Sequence, residues 1–369
     1  MRNMTRILTL AAVAVALWVN VAAAQNSNAD WEKVVAAAEK EGTIIINSQP
    51  NLAWREFIQR EFPKAYPKIT VNLSVIPTEE FMVRVRTERG AGKYLWDIAA
   101  SGAIGGFSFY KDNILDPILP ELIRPDVNDA ALWGGWDEAL VDLPHKYVFS
   151  MSAYLVGVFY NAKMVPPETV ERLGLDAVMQ PQYVGKAAWH DPTVAGGGQI
   201  YVPLFRQKGD DWLKRFVVDQ KVVFYPQQQA VVEAMARGTA AFGIGPPVRS
   251  LIAPYLQAGA ATQVDIRGFG NKPESNLISI GGNCLYVFNN RPHPNATRVF
   301  VNWMLQKDVQ YALAKALDMT SRRQDVPPTA PPDEVPIKGA KYLAPQAEVN
   351  FSALTQGSKF IEDLRKSMR

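Results

Sequence analysis

The chain has 369 residues, of which 39 are Lys or Arg and 36 are Asp or Glu, and this length suggests two domains of ordinary size. The near balance of charge, without a Lys/Arg cluster or a basic-aromatic array, excludes a nucleic-acid-binding protein. The single cysteine, Cys284, excludes an intramolecular disulfide and a lipid-bearing cysteine after an export signal.

The N-terminal residues predict an export signal. Arg2 and Arg6 precede an uncharged apolar run over residues 7–21, and alanines at 22–24 offer a cleavage site. The run is too short for a membrane anchor, and no other segment is long and apolar enough to span a bilayer. We therefore expect residues 1–24 to be a cleaved signal peptide. The mature protein would be soluble and periplasmic, would begin at Gln25, and would carry a net charge of +1 instead of +3.

Strand and helix patterns alternate over the first part of the mature chain. The strand Thr43–Asn47 is apolar on both faces, as in a sheet covered by helices on both sides. Two further strands, Ile69–Ile76 and Trp96–Ala100, each follow a segment with helical spacing of apolar residues. This order predicts β-α-β units and therefore an α/β fold.

Polar and small residues follow two of these strands directly. Ser48 and Gln49 come after the first strand, and Ser101 and Gly102 come after the third. Ligands of open α/β sheets bind outside the carboxyl ends of the strands, so these four residues are candidate ligand contacts. Ordinary turn chemistry is the alternative explanation for Ser and Gly at these positions.

Two long strand-like runs are expected to pass between lobes and to act as hinges. They are Val148–Asn161, with polar residues at period two, and Asn276–Phe288, with a flexible point at Gly281 and Gly282. We divide the mature chain into a first lobe (25–135), a crossover (136–155), a second lobe (156–275), a return to the first lobe (276–320), and a C-terminal arm and helix packing across the lobes (321–369).

The stretch from Gln180 to Gln199 predicts a strand, a turn and an open backbone. Trp189 ends a short buried strand, Asp191-Pro192 starts a turn, and Thr193 is followed by Gly196, Gly197 and Gly198. If residues 200–205 are helical, the preceding amides form a helix N-terminus that favours an acceptor or an anion. A sharp strand-to-helix turn without a ligand is the alternative.

Five segments, taken in order, resemble the type II periplasmic solute-binding proteins of ABC importers, in the branch that includes ferric-ion-binding proteins. They are WEKVVAAAEKEGTIII at Trp31–Ile46, WDIAASG at Trp96–Gly102, VGVFYNAKMV at Val156–Val165, QYVGKAAWHDPT at Gln182–Thr193 and HPNATRVFVNWMLQKDVQ at His293–Gln310. The resemblance implies two α/β lobes, each a mixed sheet flanked by helices, joined by crossing strands and closing on a ligand. It also implies delivery to an ABC permease in the inner membrane, and we expect a monomer.

The resemblance also allows a test for iron. Ferric members of the branch use a histidine, a glutamate and a tyrosine pair, which fall here on Pro50, Gly102, Pro246 and Pro247. The chain's histidines are scattered without metal-ligand spacing, and we interpret His145, His190 and His293 as surface or structural residues. We therefore expect no metal site and no cofactor.

The remaining candidate contacts favour an organic ligand with an acidic group. Tyr154 stands where ferric relatives place an anion-contacting arginine, and it offers a ring face and one hydroxyl. Gly245 ends a predicted strand. The guanidinium group of Arg249 after it can bind a carboxylate or phosphate through two parallel hydrogen bonds, unless Arg249 is a solvated helix residue. Gln228 presents an amide to the cleft or simply starts a helix.

Nothing in the sequence predicts an enzyme. The sequence ASGAIGG around Ser101 is not a nucleophile elbow, and the paired acids Glu79-Glu80 and Asp210-Asp211 are adjacent, which places them on different faces. We interpret the three tryptophans near the predicted cleft loops, Trp54, Trp96 and Trp189, as core residues. Two alternatives stay open: ferric binding with exogenous anions, and a ligand-binding partner of a periplasmic sensor system.

Overall fold

The structure is a computed structural model that describes residues 29–48, 51–194, 198–245, 264–280, 283–317 and 319–367. The predicted signal peptide lies outside these ranges. No helix within them is long and apolar enough to cross a membrane.

The described residues form twelve β-strands and twelve α-helices. The strands are β1 (Thr43–Ser48), β2 (Thr70–Val75), β3 (Ile98–Ser101), β4 (Leu115–Asp116), β5 (Phe149–Ser150), β6 (Tyr154–Asn161), β7 (Ala187–His190), β8 (Val223–Tyr225), β9 (Phe242–Ile244), β10 (Ile266–Gly268), β11 (Asn276–Ser279) and β12 (Cys284–Phe288). The helices are 29–41, Leu52–Ala65, Thr78–Gly90, Ala103–Lys111, Trp136–Ala139, Pro167–Leu173, Val202–Arg206, Asp210–Val218, Gln228–Ala236, Pro294–Met304, Lys307–Leu317 and Phe351–Ser367.

The first lobe is built on a six-stranded sheet, sheet 1, in the order β2-β1-β3-β12-β4, with β5 also paired to β12. β1 runs parallel to β2 and β3, and β12 runs antiparallel to β3. Ile44 and Ile46 pack in one buried cluster with Phe57, while Ile45 faces a second cluster around Phe81. Because both faces are covered by helices, β1 is apolar at both parities, as predicted.

The second lobe is built on sheet 2, in the order β10-β6-β9-β7-β8, with β11 also paired to β6. β7 is parallel to β8 and β9, whereas β6 is antiparallel to β9, β10 and β11. Trp189 packs on one face with Phe205 and Phe216, and Ala188 packs on the other with Val231. Together the two sheets form the two-lobed α/β fold that the sequence predicted.

Two segments carry the chain between the sheets. β5 belongs to sheet 1 and β6 to sheet 2, and β11 belongs to sheet 2 and β12 to sheet 1. The run 148–161, predicted as strand-like throughout, is divided into β5 and β6 where the chain changes sheets. The run 276–288 is divided into β11 and β12 on either side of the predicted flexible point, whose residues Gly281 and Gly282 lie outside the described ranges. The first division follows from new backbone partners: Met151 N donates to Asn283 O (2.9 Å), and Ala153 N donates to Thr320 O (3.1 Å).

The C-terminal segment contacts both lobes. Glu348 accepts hydrogen bonds from Tyr110 Oη (2.7 Å) and from the backbone N–H of Leu143 (2.9 Å) in the first lobe, and pairs with Lys111 Nζ (2.5 Å). The helix that follows packs on the second lobe, with Gly357 against Val202. This helix begins at Phe351, and Leu354 in its first turn already belongs to its buried face.

Candidate functional site

The carboxyl ends of β1, β2 and β3 lie along one edge of sheet 1, which we call edge 1. Ser48 ends β1 beside Ala100, and Ser101 ends β3. β12 is antiparallel to β3, so its first residue, Cys284, pairs with Ser101 at the same edge. Asn47 Nδ2 donates to Ile76 O (3.3 Å) and Asn47 Oδ1 accepts from Ile76 N (3.0 Å), which fixes the end of β1 against the end of β2.

Two helices begin at edge 1 with different caps. Asn51 accepts a hydrogen bond from Trp54 N (3.2 Å) at the start of Leu52–Ala65. Gly102 starts Ala103–Lys111 with φ −63° and ψ 146° and has no side chain to accept the first amides. The predicted contacts Ser48, Ser101 and Gly102 are thus brought together at edge 1, and Gln49 lies outside the described residues.

A hydrogen-bond network joins edge 1 to the crossing segments. Trp54 Nε1 donates to Asn283 Oδ1 (2.5 Å), and Asn283 Nδ2 donates to Ser152 Oγ (3.3 Å). Ser152 Oγ in turn donates to Ile280 O (3.3 Å). Sequence reasoning missed Asn283 and Ser152 as a pair because 131 residues separate them. Their positions beside predicted hinge points were the only available signal.

The facing edge of sheet 2, edge 2, is formed by the carboxyl ends of β7, β8 and β9. β6 is antiparallel to β9, so its first residue, Tyr154, lies at the same edge, paired with Ser279 of β11. Tyr201 Oη donates to Gly245 O (2.6 Å). Burial raises the pKa of Tyr154 and of Tyr201 above the ordinary tyrosine value, which is itself well above neutral pH.

The turn after β7 is held by an ion pair from the C-terminal helix. Asp191 accepts from Thr193 Oγ1 (2.6 Å) and Thr193 N (2.9 Å), and Arg365 Nη1 lies 2.6 Å from its other oxygen. Burial alone would raise the pKa of Asp191, but the bonds from Thr193 and Arg365 outweigh it and hold the pKa below its ordinary value. Arg365 carries no sequence signal for this role.

His190 lies at the centre of edge 2 with only 2% of its surface exposed. A Cβ on Gly198 would meet its carbonyl oxygen, and a Cβ on Gly245 would meet its side chain. These two glycines therefore let the backbone pack closely around His190. Burial lowers the pKa of His190, although a hydrogen bond with the carbonyl of Pro226 opposes the shift, and Nδ1 has no hydrogen-bond partner.

The structure brings some of the predicted second-lobe contacts together at edge 2, and others lie outside the described residues. Tyr154, Thr193, Gly198 and Gly245 all lie near His190 or Tyr201 at edge 2. Gln228 begins the helix after β8, whose carboxyl end is also at edge 2. Gly196, Gly197 and Arg249 lie outside the described residues, as do the positions Pro50, Pro246 and Pro247 used in the iron comparison.

Edges 1 and 2 border the same crossing segments. Ser150 pairs with Cys284 at edge 1, and Tyr154 starts β6 at edge 2. Four residues of chain span at most about 14 Å, so the two edges come close together at this crossing.

The histidine and tryptophan interpretations can be compared with the structure. His145 is exposed, and His293 Nδ1 lies 2.8 Å from the buried carboxylate of Asp97. Trp54, Trp96 and Trp189 are 0%, 5% and 0% exposed, which confirms them as core residues. Among the described residues, no group of three His, Cys, Asp or Glu side chains is placed to hold a metal ion.

Comparison with known proteins places this geometry in a family. Residues 46–311 match the family model described as bacterial extracellular solute-binding protein. No curated protein matches the sequence significantly.

Solved structures with the same fold include three iron-related proteins. Iron-bound HitA from Pseudomonas aeruginosa is 16% identical, with 87% of this chain and 99% of that chain covered and a TM-score of 0.62. The Trichodesmium protein IdiA (FutA), in complex with iron and citrate, is 18% identical over 88% and 99% of the two chains, with a TM-score of 0.67. Ferric iron-binding protein A from Mannheimia haemolytica, in an open conformation, is 12% identical over 88% and 98%, with a TM-score of 0.63.

Because the family model covers most of the sequence, the chain belongs to the bacterial extracellular solute-binding proteins, the periplasmic ligand-binding components of ABC importers.

Proposed function

We propose that edges 1 and 2 close by hinge motion on a small polar organic ligand that carries a carboxylate, phosphate or phosphonate group. The chain then delivers this ligand, as a monomer, to an ABC permease of the inner membrane. Export through residues 1–24 and the lobe limits drawn from the sequence belong to the same proposal.

The observation that carries the proposal is the supply of hydrogen-bond donors at the two edges. Edge 1 offers the Ser101 hydroxyl and the uncapped helix start at Gly102, and edge 2 offers the hydroxyl of Tyr154. The one acidic side chain of the edge-2 turn, Asp191, is paired with Arg365. Donor-rich surfaces with a neutralised acid favour an acceptor-bearing ligand.

Residue identities at the iron positions support an organic ligand over a bare ferric ion. Gly102 stands where the ferric branch has glutamate, and glycine has no side chain to coordinate a metal. Ferric iron carried with an exogenous anion is the second candidate, because the Trichodesmium neighbour is described with iron and citrate. A role in sensing is the third; permease and ATPase genes beside this gene would favour transport over it.

A thermal-shift screen tests the proposal. Purified mature protein is heated with matched sets of carboxylates, phosphonates, sugar phosphates, amines and ferric citrate, each acid beside its amide or alcohol analogue. A ligand that binds only the folded state raises the melting temperature, because at a concentration of a hundred times Kd it adds about 2.7 kcal/mol to the free energy of unfolding. We expect an acid to stabilise and its neutral analogue to have no effect. Stabilisation by ferric citrate alone, with tyrosinate colour, would replace the proposal with the iron alternative.

A further inference from the structure

We propose that Arg322, with the hydroxyl of Thr320 beside it, forms an anion-binding site on residues 320–322, which we call the flanking segment. The site takes a compact oxyanion, either a free phosphate or carboxylate from solution or the acidic group of a larger ligand. Neither edge 1 nor edge 2 supplies its residues. The inference goes beyond the proposed function and can be tested without a known ligand.

The flanking segment runs along the chain that crosses from β5 to β6. Ser321 forms an antiparallel bridge with Ser152, and Arg322 N donates to Met151 O (2.9 Å). This pairing keeps the flanking segment extended, and side chains two residues apart on an extended chain project to the same side. The side chains of Thr320 and Arg322 therefore lie on one side of the segment.

The guanidinium group of Arg322 is buried without a close acceptor. The side chain is 9% exposed, and its Nε has no hydrogen-bond partner. Within the described part of the chain, its one ion pair is with Glu138, whose side chain is 75% exposed and whose Oε2 lies 3.8 Å from Nη1. That distance is too long for a hydrogen bond. Because arginine stays charged in proteins, Arg322 carries a buried charge that its surroundings do not compensate.

Two other buried arginines of the first lobe show how such a charge is ordinarily compensated. Arg291 lies 2.7 Å and 2.6 Å from two carboxylates. Arg323, the next residue after Arg322, lies 2.7 Å from the carboxylate of Asp325 and donates to a backbone carbonyl at 2.6 Å. Burial lowers the pKa of Arg322, and the opposing effect of nearby groups does not cancel it. Internal pairing therefore explains Arg291 and Arg323 but not Arg322.

Thr320 provides a second and independent observation. Its Oγ1 is buried and has no hydrogen-bond partner. A threonine hydroxyl can donate one hydrogen bond, so it adds a donor on the side of the segment where the guanidinium lies. Buried polar groups are nearly always hydrogen-bonded, and leaving one unpaired costs free energy. Two unpaired groups on one side of a three-residue segment favour an occupant that accepts hydrogen bonds from both.

The chemistry of the pair selects an oxyanion. A guanidinium group presents its N–H donors in a planar fork that matches the oxygens of a carboxylate or a phosphate. The contact with Glu138 shows that the guanidinium approaches the surface on that side, where a small anion can enter. Glu138 has the same sign of charge as the anion and competes with it, but water screens its mostly exposed carboxylate.

Calorimetry on the mature protein and on Arg322→Met, with inorganic phosphate and with acetate, tests the proposal. We expect saturable binding of at least one of the two ions, and a Kd at least about tenfold higher in Arg322→Met, because a bond to a charged group is lost. Methionine removes the uncompensated charge, so in low-salt buffer the variant should melt no lower than wild type. Added phosphate should raise the melting temperature of wild type alone. Arg237→Met removes one charge from a side chain that is 75% exposed and should leave phosphate binding unchanged.

Three further variants separate an anion site from an ordinary ion pair with Glu138. Glu138→Gln removes the competing carboxylate and should tighten phosphate binding by up to about fivefold. Thr320→Val removes only the hydroxyl and should weaken binding by about tenfold. Arg322→Lys keeps the charge but loses the planar fork, so its Kd should lie between those of wild type and Arg322→Met.

Competition experiments identify the source of the anion. If the site takes the acidic group of a larger ligand, phosphate competes with the best acid from the thermal-shift screen, and Arg322→Met loses both. If it takes a free anion, that acid binds Arg322→Met as tightly as wild type, and only phosphate or acetate binding is lost. Kd values above about 10 mM for both ions in wild type, or within about twofold of wild type in Arg322→Met and Arg322→Lys, would overturn the proposal.

Discussion

Replacing Glu348 should loosen the C-terminal segment from the first lobe. The Glu348 carboxylate is 8% exposed and accepts from Tyr110 Oη and Leu143 N, and its pairing with Lys111 is at 2.5 Å. Its own N–H donates to Val141 O (2.9 Å) and would remain in Glu348→Ala. The substitution therefore removes side-chain contacts while preserving the backbone path.

The expected loss can be worked out from these contacts. Each hydrogen bond to a charged acceptor contributes about 1.5–3 kcal/mol, and the lower end applies because Leu143 and Tyr110 are not fully buried. Lys111 is 59% exposed, so its ion pair adds about 0–1 kcal/mol. The sum is about 3–4 kcal/mol, which at about 2.1 cal/mol/K of unfolding entropy per residue over a chain of this length corresponds to a fall in melting temperature of roughly 4–6 °C.

Thermal unfolding followed by circular dichroism measures this loss. Glu348→Gln, which keeps the shape and one acceptor, should fall between wild type and Glu348→Ala. Glu362→Gln is the matched control, because its pair with Lys366 lies on the exposed face of the same segment, and it should leave the midpoint unchanged. A wild-type midpoint for Glu348→Ala would refute the packing of the C-terminal segment on the first lobe.

Three further predictions concern the edges and the crossing. The pKa of His190 is depressed in the folded protein, so its contribution to stability is complete above the unfolded pKa near 6.5 and is lost as the pH falls toward the folded pKa. His190→Gln should therefore reduce the fall of the urea midpoint between pH 7.5 and 5. The same dependence of the urea midpoint on pH in wild type and variant would contradict this. Trp54→Phe removes the indole N–H that donates to the buried Asn283 Oδ1 and should cost about 0.5–1.5 kcal/mol in chemical denaturation; an unchanged midpoint would contradict a contribution of this bond. Gly245→Ala, at φ 131° and against His190, should cost about 1–3 kcal/mol or more, and a neutral effect would disprove the close packing at edge 2.

Local patterns were sufficient to predict the first strands of sheet 1. The strand predicted at Thr43–Asn47 is β1, Thr43–Ser48, and the one predicted at Ile69–Ile76 is β2, Thr70–Val75. These strands are specified by residues that lie next to one another, so periodicity alone finds them. The interruption at 151–153 is different, because a change of sheet partner is a tertiary event that leaves the strand-like run looking continuous.

Some residues of the candidate site could likewise be predicted from local sequence, and others could not. Ser48, Ser101 and Gly102 were found because a strand end is a local feature, and the structure places them at one edge. The contact of Arg365 with Asp191 joins residues 174 positions apart, and no local pattern predicts it.

Small-angle X-ray scattering during ligand titration tests the central claim most directly. The acid that stabilises best in the thermal-shift screen is titrated into the mature protein beside its neutral amide or alcohol analogue. Closure of the two lobes on the acid should lower the radius of gyration in a saturable way, and the analogue should leave it unchanged. Saturable binding of the acid with no change in the radius, or equal compaction by the neutral analogue, would contradict the account.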